Sequence, residues 1–380
     1  MKKLIAVLLV LVLALCALPA MADESTEAAT VTQTPVEEFG GLTYTGSMEL
    51  DYANQFRVDY YEGGYSLITL VDGVQVLVVP EGASTPEGLS ENVIVVNQPL
   101  TDMLISSTPT TSLINAIGRL DTIKYTTNDL DSWYIDEVKA AMEAGEITYI
   151  GSYKEPDFEV LAAEPPMFSV FSTMLDSVPD VADKLDELGI KYIRDYATYE
   201  NHPLARVEWV KLYGALLGEE EAAQAAYDEQ KQMVESLGES QTGKTCVMFY
   251  ITSKGTLHVR NGSDYMARML ELAGGEYALS DFNPDQTGAE QMEMEEFYSR
   301  AADADYIIYI WSLGGKPETL ADFTAKWELL SEFKAVKDGN VFCTTPDYFQ
   351  ITNTLGDMIV DMNTMLTGSD APMEYLFKLQ

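Results

Sequence analysis

Two periodicities alternate along this chain. Short runs rich in apolar residues, Val93–Val96, Ile147–Ile150, Met167–Phe171 and Tyr192–Tyr196, read as buried strands. Between them, apolar residues recur at three- and four-residue spacing over Ser112–Ile117, Ile135–Ala144, Phe158–Ala163 and Val178–Leu188, which predicts helices. The same alternation returns later, with strands at Cys246–Ile251, Tyr306–Trp311 and Val341–Thr344. Helices are expected there at Ser263–Leu272, Glu295–Ala302, Thr319–Phe323 and Thr352–Met365. Strand–helix alternation implies mainly parallel sheets with helices on both faces. The expected fold class is therefore α/β, with two Rossmann-like lobes over residues 91–200 and 239–380.

Three stretches break this rhythm. Over residues 41–90, aromatic and β-branched runs are punctuated by Glu62-Gly63-Gly64 and Asp72-Gly73, the signature of a small antiparallel meander. Residues 23–40 are rich in Glu, Thr and Ala without periodicity and read as a disordered tether. The other stretch, residues 201–238, is helical throughout. Pro203 suits a first helical position, because its missing N–H is not needed there. Leu204, Val207, Val210, Tyr213 and Leu217 then form one apolar face. After Gly218, a run to Leu237 opens with three glutamates, favourable at the positive end of a helix. One long, stiff helical bridge is expected to join the lobes and hold them on either side of a cleft.

The segment Glu200-Asn-His-Pro-Leu-Ala-Arg-Val-Glu-Trp-Val-Lys resembles the Glu-x-x-Pro-Leu-Gly-Arg-x-Glu-Trp pattern of the helical-backbone (class III) substrate-binding proteins of ABC importers. That group captures iron–siderophore complexes and cobalamin. Ala205 stands where the pattern has Gly. The resemblance spans roughly residues 90 to 367. It implies a carrier without catalytic activity or cofactor, a monomer that binds one metal chelate between its lobes and delivers it to a membrane permease. A ferric siderophore is favoured, then cobalamin or haem. It also implies one exposed docking glutamate per lobe, which points to Glu159 in Asp157-Phe158-Glu159-Val160 and to Glu296, with Glu295 one register away.

The first 22 residues add export to this picture. Lys2 and Lys3 precede the apolar run Leu4–Leu18, and Ala20-Met21-Ala22 forms a small-residue cleavage site. Cleavage after Ala22 is favoured over lipidation at Cys16, because Leu15 is a poor residue before a lipidated cysteine. The whole chain carries 23 Lys+Arg against 61 Asp+Glu. Such acidity repels nucleic acid and anionic lipid. Cys246 and Cys343 lie in apolar strand-like runs and read as two buried thiols rather than a disulfide.

Motifs for other chemistries are weak. Gly238 to Thr245 matches the nucleotide P-loop pattern through Gly243 and Lys244. A P-loop needs a strand before it and a helix after it, and here the order is reversed. The two histidines, His202 and His258, have no neighbouring spacing that builds a zinc cage. No Gly-x-Ser-x-Gly elbow supports the rival reading of a secreted hydrolase. A surface adhesion module would leave the two-lobe core unexplained.

Ligands of open α/β sheets bind beyond the carboxyl ends of strands, which selects the cleft candidates. In the first lobe these are Ser107, Thr108 and Thr110 before a helix, Ser172, Tyr196 and Tyr199. In the second they are Arg260, whose fork could meet carboxylate or hydroxamate oxygens, with Trp311 and Tyr348 as stacking aromatics. The cleft is expected to be short of Arg and Lys.

Overall fold

A computed structural model describes residues 30–238, 241–311 and 315–380. The export segment, with Cys16, lies outside the described residues.

The N-terminal region is larger than its turn signals suggested. Strands Glu38–Phe39, Leu42–Ser47, Phe56–Tyr61, Tyr65–Leu70 and Gln75–Val79 form an antiparallel meander in sequence order. Val93–Asn97 completes the sheet, running parallel to Gln75–Val79 with Val76 opposite Ile94. This corrects the expectation that Val93–Val96 opens the first lobe. An apolar run marks a buried strand but does not say which sheet buries it. The expected tether is likewise held from Val31 onward. Val31 N–H donates to the Asn54 carbonyl (2.8 Å), and Val36 N–H to Asp59 (3.2 Å). Arg57 donates to the Thr32 carbonyl and pairs with Asp59 at 3.0 Å, both buried. A buried ion pair inside the sheet thus anchors a segment that has no apolar periodicity of its own.

The first lobe is a five-stranded parallel sheet in the order Tyr192–Asp195, Ser169–Ser172, Met103–Ile105, Ile123–Thr126, Thr148–Tyr149. Helices Thr108–Ala116, Asp136–Glu143, Phe158–Ala163 and Pro179–Glu187 accompany it. The second lobe is a mixed sheet. Its parallel centre is Thr245–Ile251, Tyr306–Tyr309 and Val341–Thr344, and Leu257–Arg260, Ala289–Gln291 and Leu376–Lys378 pair antiparallel outside it. Cys246 and Cys343 are buried and unpaired, on strands separated by Tyr306–Tyr309.

The bridge is a helical hairpin rather than one continuous rod. Its first helix, Pro203–Leu217, starts with the His202 imidazole accepting from Leu204 N–H (3.2 Å). It ends at Gly218, whose φ of 75° is the left-handed conformation glycine accepts without strain. The second helix, Glu220–Ser236, returns along the first. Lys211 lies over the Tyr227 ring at 4.2 Å. A Cβ on Gly214 would stand 2.5 Å from that of Ala223, so only glycine allows this approach. All but one residue of the first helix are buried, Glu208 and Lys211 included. The single apolar face read from the sequence underestimates this burial: the N-terminal sheet covers the opposite side.

That covering is polar and specific. Glu208 accepts backbone N–H groups from Asp51 (2.8 Å), Tyr52 (2.9 Å) and Ala53 (2.8 Å), and pairs with Lys211 at 3.0 Å. Glu200 accepts from Asn54 N–H and Gln55 N–H (3.0 Å each) and from the Trp209 indole (3.2 Å). The two glutamates of the connecting motif are therefore clamps. They accept from five successive backbone donors of the loop 51–55, of which those of Ala53 and Gln55 belong to buried residues that need a partner.

Candidate functional site

The carboxyl ends of the first-lobe parallel strands, the second-lobe segments at and after Leu257–Arg260 and after Val341–Thr344, and the start of the bridge converge on one cavity of about 300 Å³. Ser107, Pro109, Ser172, Asp195 and Thr198 line it from the first lobe, and Arg206 from the bridge. Arg260, Asp264, Tyr265 and Tyr348 line it from the second lobe.

Four expected residues meet there. Ser107 caps the helix Thr108–Ala116 by accepting from Thr110 N–H (3.3 Å), and also borders the cavity. Ser172, Arg260 and Tyr348 border it too. Arg260 is buried, and its fork is already engaged by Asp264 through Nε (2.8 Å) and Nη2 (2.9 Å). Tyr348 is 2% exposed, and its hydroxyl has no hydrogen-bond partner among the described residues. Burial pushes its pKa well above the ordinary tyrosine value, so the phenol stays protonated and can donate.

The other expected residues lie elsewhere. Thr108 is half-buried on the first turn of its helix and is not part of the lining. Thr110 is fully buried and donates to Asp195 Oδ2 (2.6 Å), which also takes the Tyr213 hydroxyl (2.6 Å), while Oδ1 takes Ala197 N–H (2.7 Å). That knot joins the first lobe to the bridge, and burial raises the Asp195 pKa. Tyr196 turns to the N-terminal sheet and donates to Asp72 (3.0 Å). Successive side chains at a strand end point opposite ways, so Asp195 facing the cavity sends Tyr196 away from it. Tyr199 is 49% exposed beside Tyr196, with ring centroids 6.0 Å apart. Trp311 packs on the second-lobe core outside the cavity.

Arg206 and Tyr265 were not anticipated. Arg206 sits three residues after Pro203 in the connecting motif, where it read as an ordinary helix position. Its Nε donates to the Glu200 carbonyl (2.9 Å) and its Nη2 to the Thr198 carbonyl (2.7 Å). The guanidinium lies 3.7 Å from the centroid of Tyr265, and that of Arg260 lies 5.8 Å from the same ring. Burial lowers the Arg206 pKa, while Tyr265 and Asp264 pull it upward. Two cations, rather than a shortage of them, mark this cleft.

The profile of the periplasmic binding protein family matches residues 114–348, more than half of the chain. The chain belongs to this family. The match bears out the likeness carried by the connecting segment. An uncharacterized lipoprotein of Methanocaldococcus jannaschii is 27% identical over 343 residues, covering 86% of this chain and 81% of its own. A periplasmic heme binding protein from Pseudomonas aeruginosa shares the fold with a TM-score of 0.58 at 15% identity, covering 74% of this chain and 98% of its own. The ABC-type Fe3+-hydroxamate transport protein of Saccharomonospora viridis does so with a TM-score of 0.55 at 16% identity, covering 71% and 94%.

In this periplasmic binding protein the lobes also meet at the cleft rim. The Gln350 amide donates to the Ser132 carbonyl (2.7 Å) and accepts from Tyr134 N–H (2.9 Å), so one second-lobe side chain clasps first-lobe backbone at two points. Glu159 and Glu296 are both exposed, one on each lobe. Glu159 lies in the first turn of Phe158–Ala163, and Glu296 makes an i,i+4 contact with Arg300 at 3.3 Å. Residues 239 and 240 of the P-loop lookalike lie outside the described residues; a helix, Glu220–Ser236, precedes it and a strand, Thr245–Ile251, begins at its last position, where Thr245 N–H donates to Asp305 (3.0 Å). Among the described residues no helix is long and apolar enough to cross a membrane.

Proposed function

We propose that this protein is the extracytoplasmic solute-binding protein of an ABC importer. It captures a ferric siderophore or a similar metal chelate between its lobes and hands it to the permease. The observation that carries this reading is the cavity itself. It is bordered by both lobes and the bridge, and lined by hydroxyls, aromatic rings and guanidinium groups. Its volume falls at the lower end of the usual ~300–1,000 Å³ for small-molecule sites. Among the described residues no group of three His, Cys, Asp or Glu could hold a bare metal ion. Recognition of a metal would therefore run through the organic groups of a chelator. Cobalamin and haem rank behind. Neither His202, whose Nδ1 accepts from Leu204 N–H, nor His258 lines the cavity, so neither histidine offers it an axial ligand.

Titration with an uncharged ferric trihydroxamate, a ferric catecholate, ferric citrate, haem and cobalamin, followed by tryptophan fluorescence, tests the ligand class. Saturable one-to-one binding of a ferric chelate is expected. Turnover of any of these, or binding of none, would overturn the reading. Glu159 and Glu296 are proposed to dock the permease. Exposed carboxylates add only ~0–1 kcal/mol to folding, whereas truncation at an interface leaves a partner charge unpaired. Replacing Glu159 and Glu296 by Ala, with Glu295→Ala added to cover the neighbouring register, should preserve melting temperature and ligand affinity yet abolish uptake. Normal uptake by that stable variant would remove these residues from the docking role.

A further inference from the structure

We propose that the cleft selects a ligand bearing a free carboxylate, taken by the outward end of the Arg206 guanidinium together with the Tyr348 hydroxyl. This rests on reading the inter-lobe cavity as the ligand site, and adds what that site selects. The cavity's charged groups do not have equal partners. Asp195 is satisfied by three donors. Arg260 and Asp264 neutralise one another through a two-point contact. Arg206 has no carboxylate within ion-pair distance among the described residues, and its two hydrogen bonds, through Nε and Nη2, go to backbone carbonyls.

An arginine has five N–H donors in a planar fork. The two carbonyls and the ring of Tyr265 hold the group in place, while its Nη1 donors remain uncommitted among the described residues. This is a pre-oriented cation whose counter-charge is missing. Tyr348 also lines the cavity, and its buried hydroxyl has no partner among the described residues. A buried polar group left unpaired is costly, and costlier once a ligand displaces the remaining water. One planar anion with two oxygens can satisfy both, one oxygen on the guanidinium fork and one on the phenol. Carboxylate has that shape and charge. A chelate whose oxygens are all spent on iron, with no net charge, does not.

The test uses the full mature chain and three probes: ferric citrate, iron-free citrate and an uncharged ferric trihydroxamate. Calorimetry at low and high salt gives each affinity. The expected result is binding of the carboxylate-bearing probes, weakened by salt. Tyr348→Phe, which keeps the ring, should cost several-fold, and Arg206→Lys, which keeps the charge but loses the fork, about tenfold or more. Because Arg206 also tethers the start of the bridge, the salt dependence of the wild type and the Tyr348→Phe variant carry the test if Arg206→Lys fails to fold. Binding of only the uncharged trihydroxamate, indifferent to salt and to both substitutions, would overturn this inference and leave the chelate carrier standing. Binding of iron-free citrate as tightly as ferric citrate, lost with Arg206→Lys, would uphold the inference and sink the chelate reading. Failure of all three to bind would overturn both.

Discussion

The first bridge helix has two kinds of neighbour, and it treats its polar groups differently toward each. Toward the N-terminal sheet, Glu208 is saturated by three backbone N–H groups and Lys211, with no exposure at all. Toward the cleft, Arg206 spends two donors on carbonyls, and the hydroxyl of Tyr348, which also lines the cavity, has no partner among the described residues. Arg206 is the one residue of this helix that is not fully buried, but the Tyr348 hydroxyl is buried, so burial alone does not separate the two sides. Satisfaction does. Glu208, which serves the fold, is fully paired within the chain, whereas Arg206 and Tyr348, which border the cavity, are left with capacity that a ligand can fill.

The comparison breaks first at Glu208. Glu208→Ala strands a buried Lys211 and three backbone donors, and should cost about 3–5 kcal/mol in urea unfolding, the usual penalty for breaking a buried pair. The sharper test is the double replacement of Glu208 and Lys211 by methionine. If the clamp were only an ion pair, an apolar pair of similar size would restore stability. The N–H groups of Asp51, Tyr52 and Ala53 would still lack acceptors, so the double variant should remain destabilised. Full recovery would reduce Glu208 to an ordinary salt bridge.

A second break is made with pH. His202 caps the bridge through its imidazole lone pair and stacks on Tyr52 of the clamped loop. Burial, with Arg268 adding to it, pushes its pKa down from 6.5 to about 4. The unfolded chain therefore binds this proton more readily than the folded one. Its stabilising contribution is complete above pH 6.5 and is lost as pH falls toward 4, by up to ~3 kcal/mol. Protonation would also take the lone pair that caps Leu204 N–H. Asn at this position can still cap but does not titrate. The difference in stability between wild type and His202→Asn should shrink across that window, and a constant difference would contradict it. Subtracting the variant also removes the opposite trends of Asp195 and Glu200, whose pKa values burial raises.

How much of this was legible beforehand follows from what periodicity encodes. The helix Phe158–Ala163 and the strand Val341–Thr344 fall where the pattern put them. The strands Met103–Ile105 and Ile123–Thr126 were missed, because three or four residues between polar neighbours do not establish a period. Gly218 was seen as an interruption. That the bridge then folds back depends on the Gly214–Ala223 contact, a tertiary fact. In the site, the rule of strand carboxyl ends found Ser107, Ser172, Arg260 and Tyr348. It misplaced Tyr196, because the rule chooses loops and not side-chain directions. It passed over Arg206, which lies on a helix and reaches the cavity only because Glu200 and Thr198 carbonyls turn it there.

The smallest expected effect lies at the cleft rim, where Gln350 clasps Ser132 and Tyr134. Like Glu208, this side chain satisfies backbone groups of another element, but it does so at the partly open edge where the lobes part. Water can replace both bonds when they break, so neither carries the penalty of an orphaned buried donor. Gln350→Ala should then cost about 1 kcal/mol of lobe closure, roughly a fivefold change, with little change in melting temperature. The effect should appear as faster ligand dissociation in stopped-flow fluorescence, because the clasp holds the closed arrangement without touching the cavity. A drop in melting temperature comparable to that of Glu208→Ala would place Gln350 with the saturated clamps. An unchanged dissociation rate would mean that the rim opens independently of ligand release.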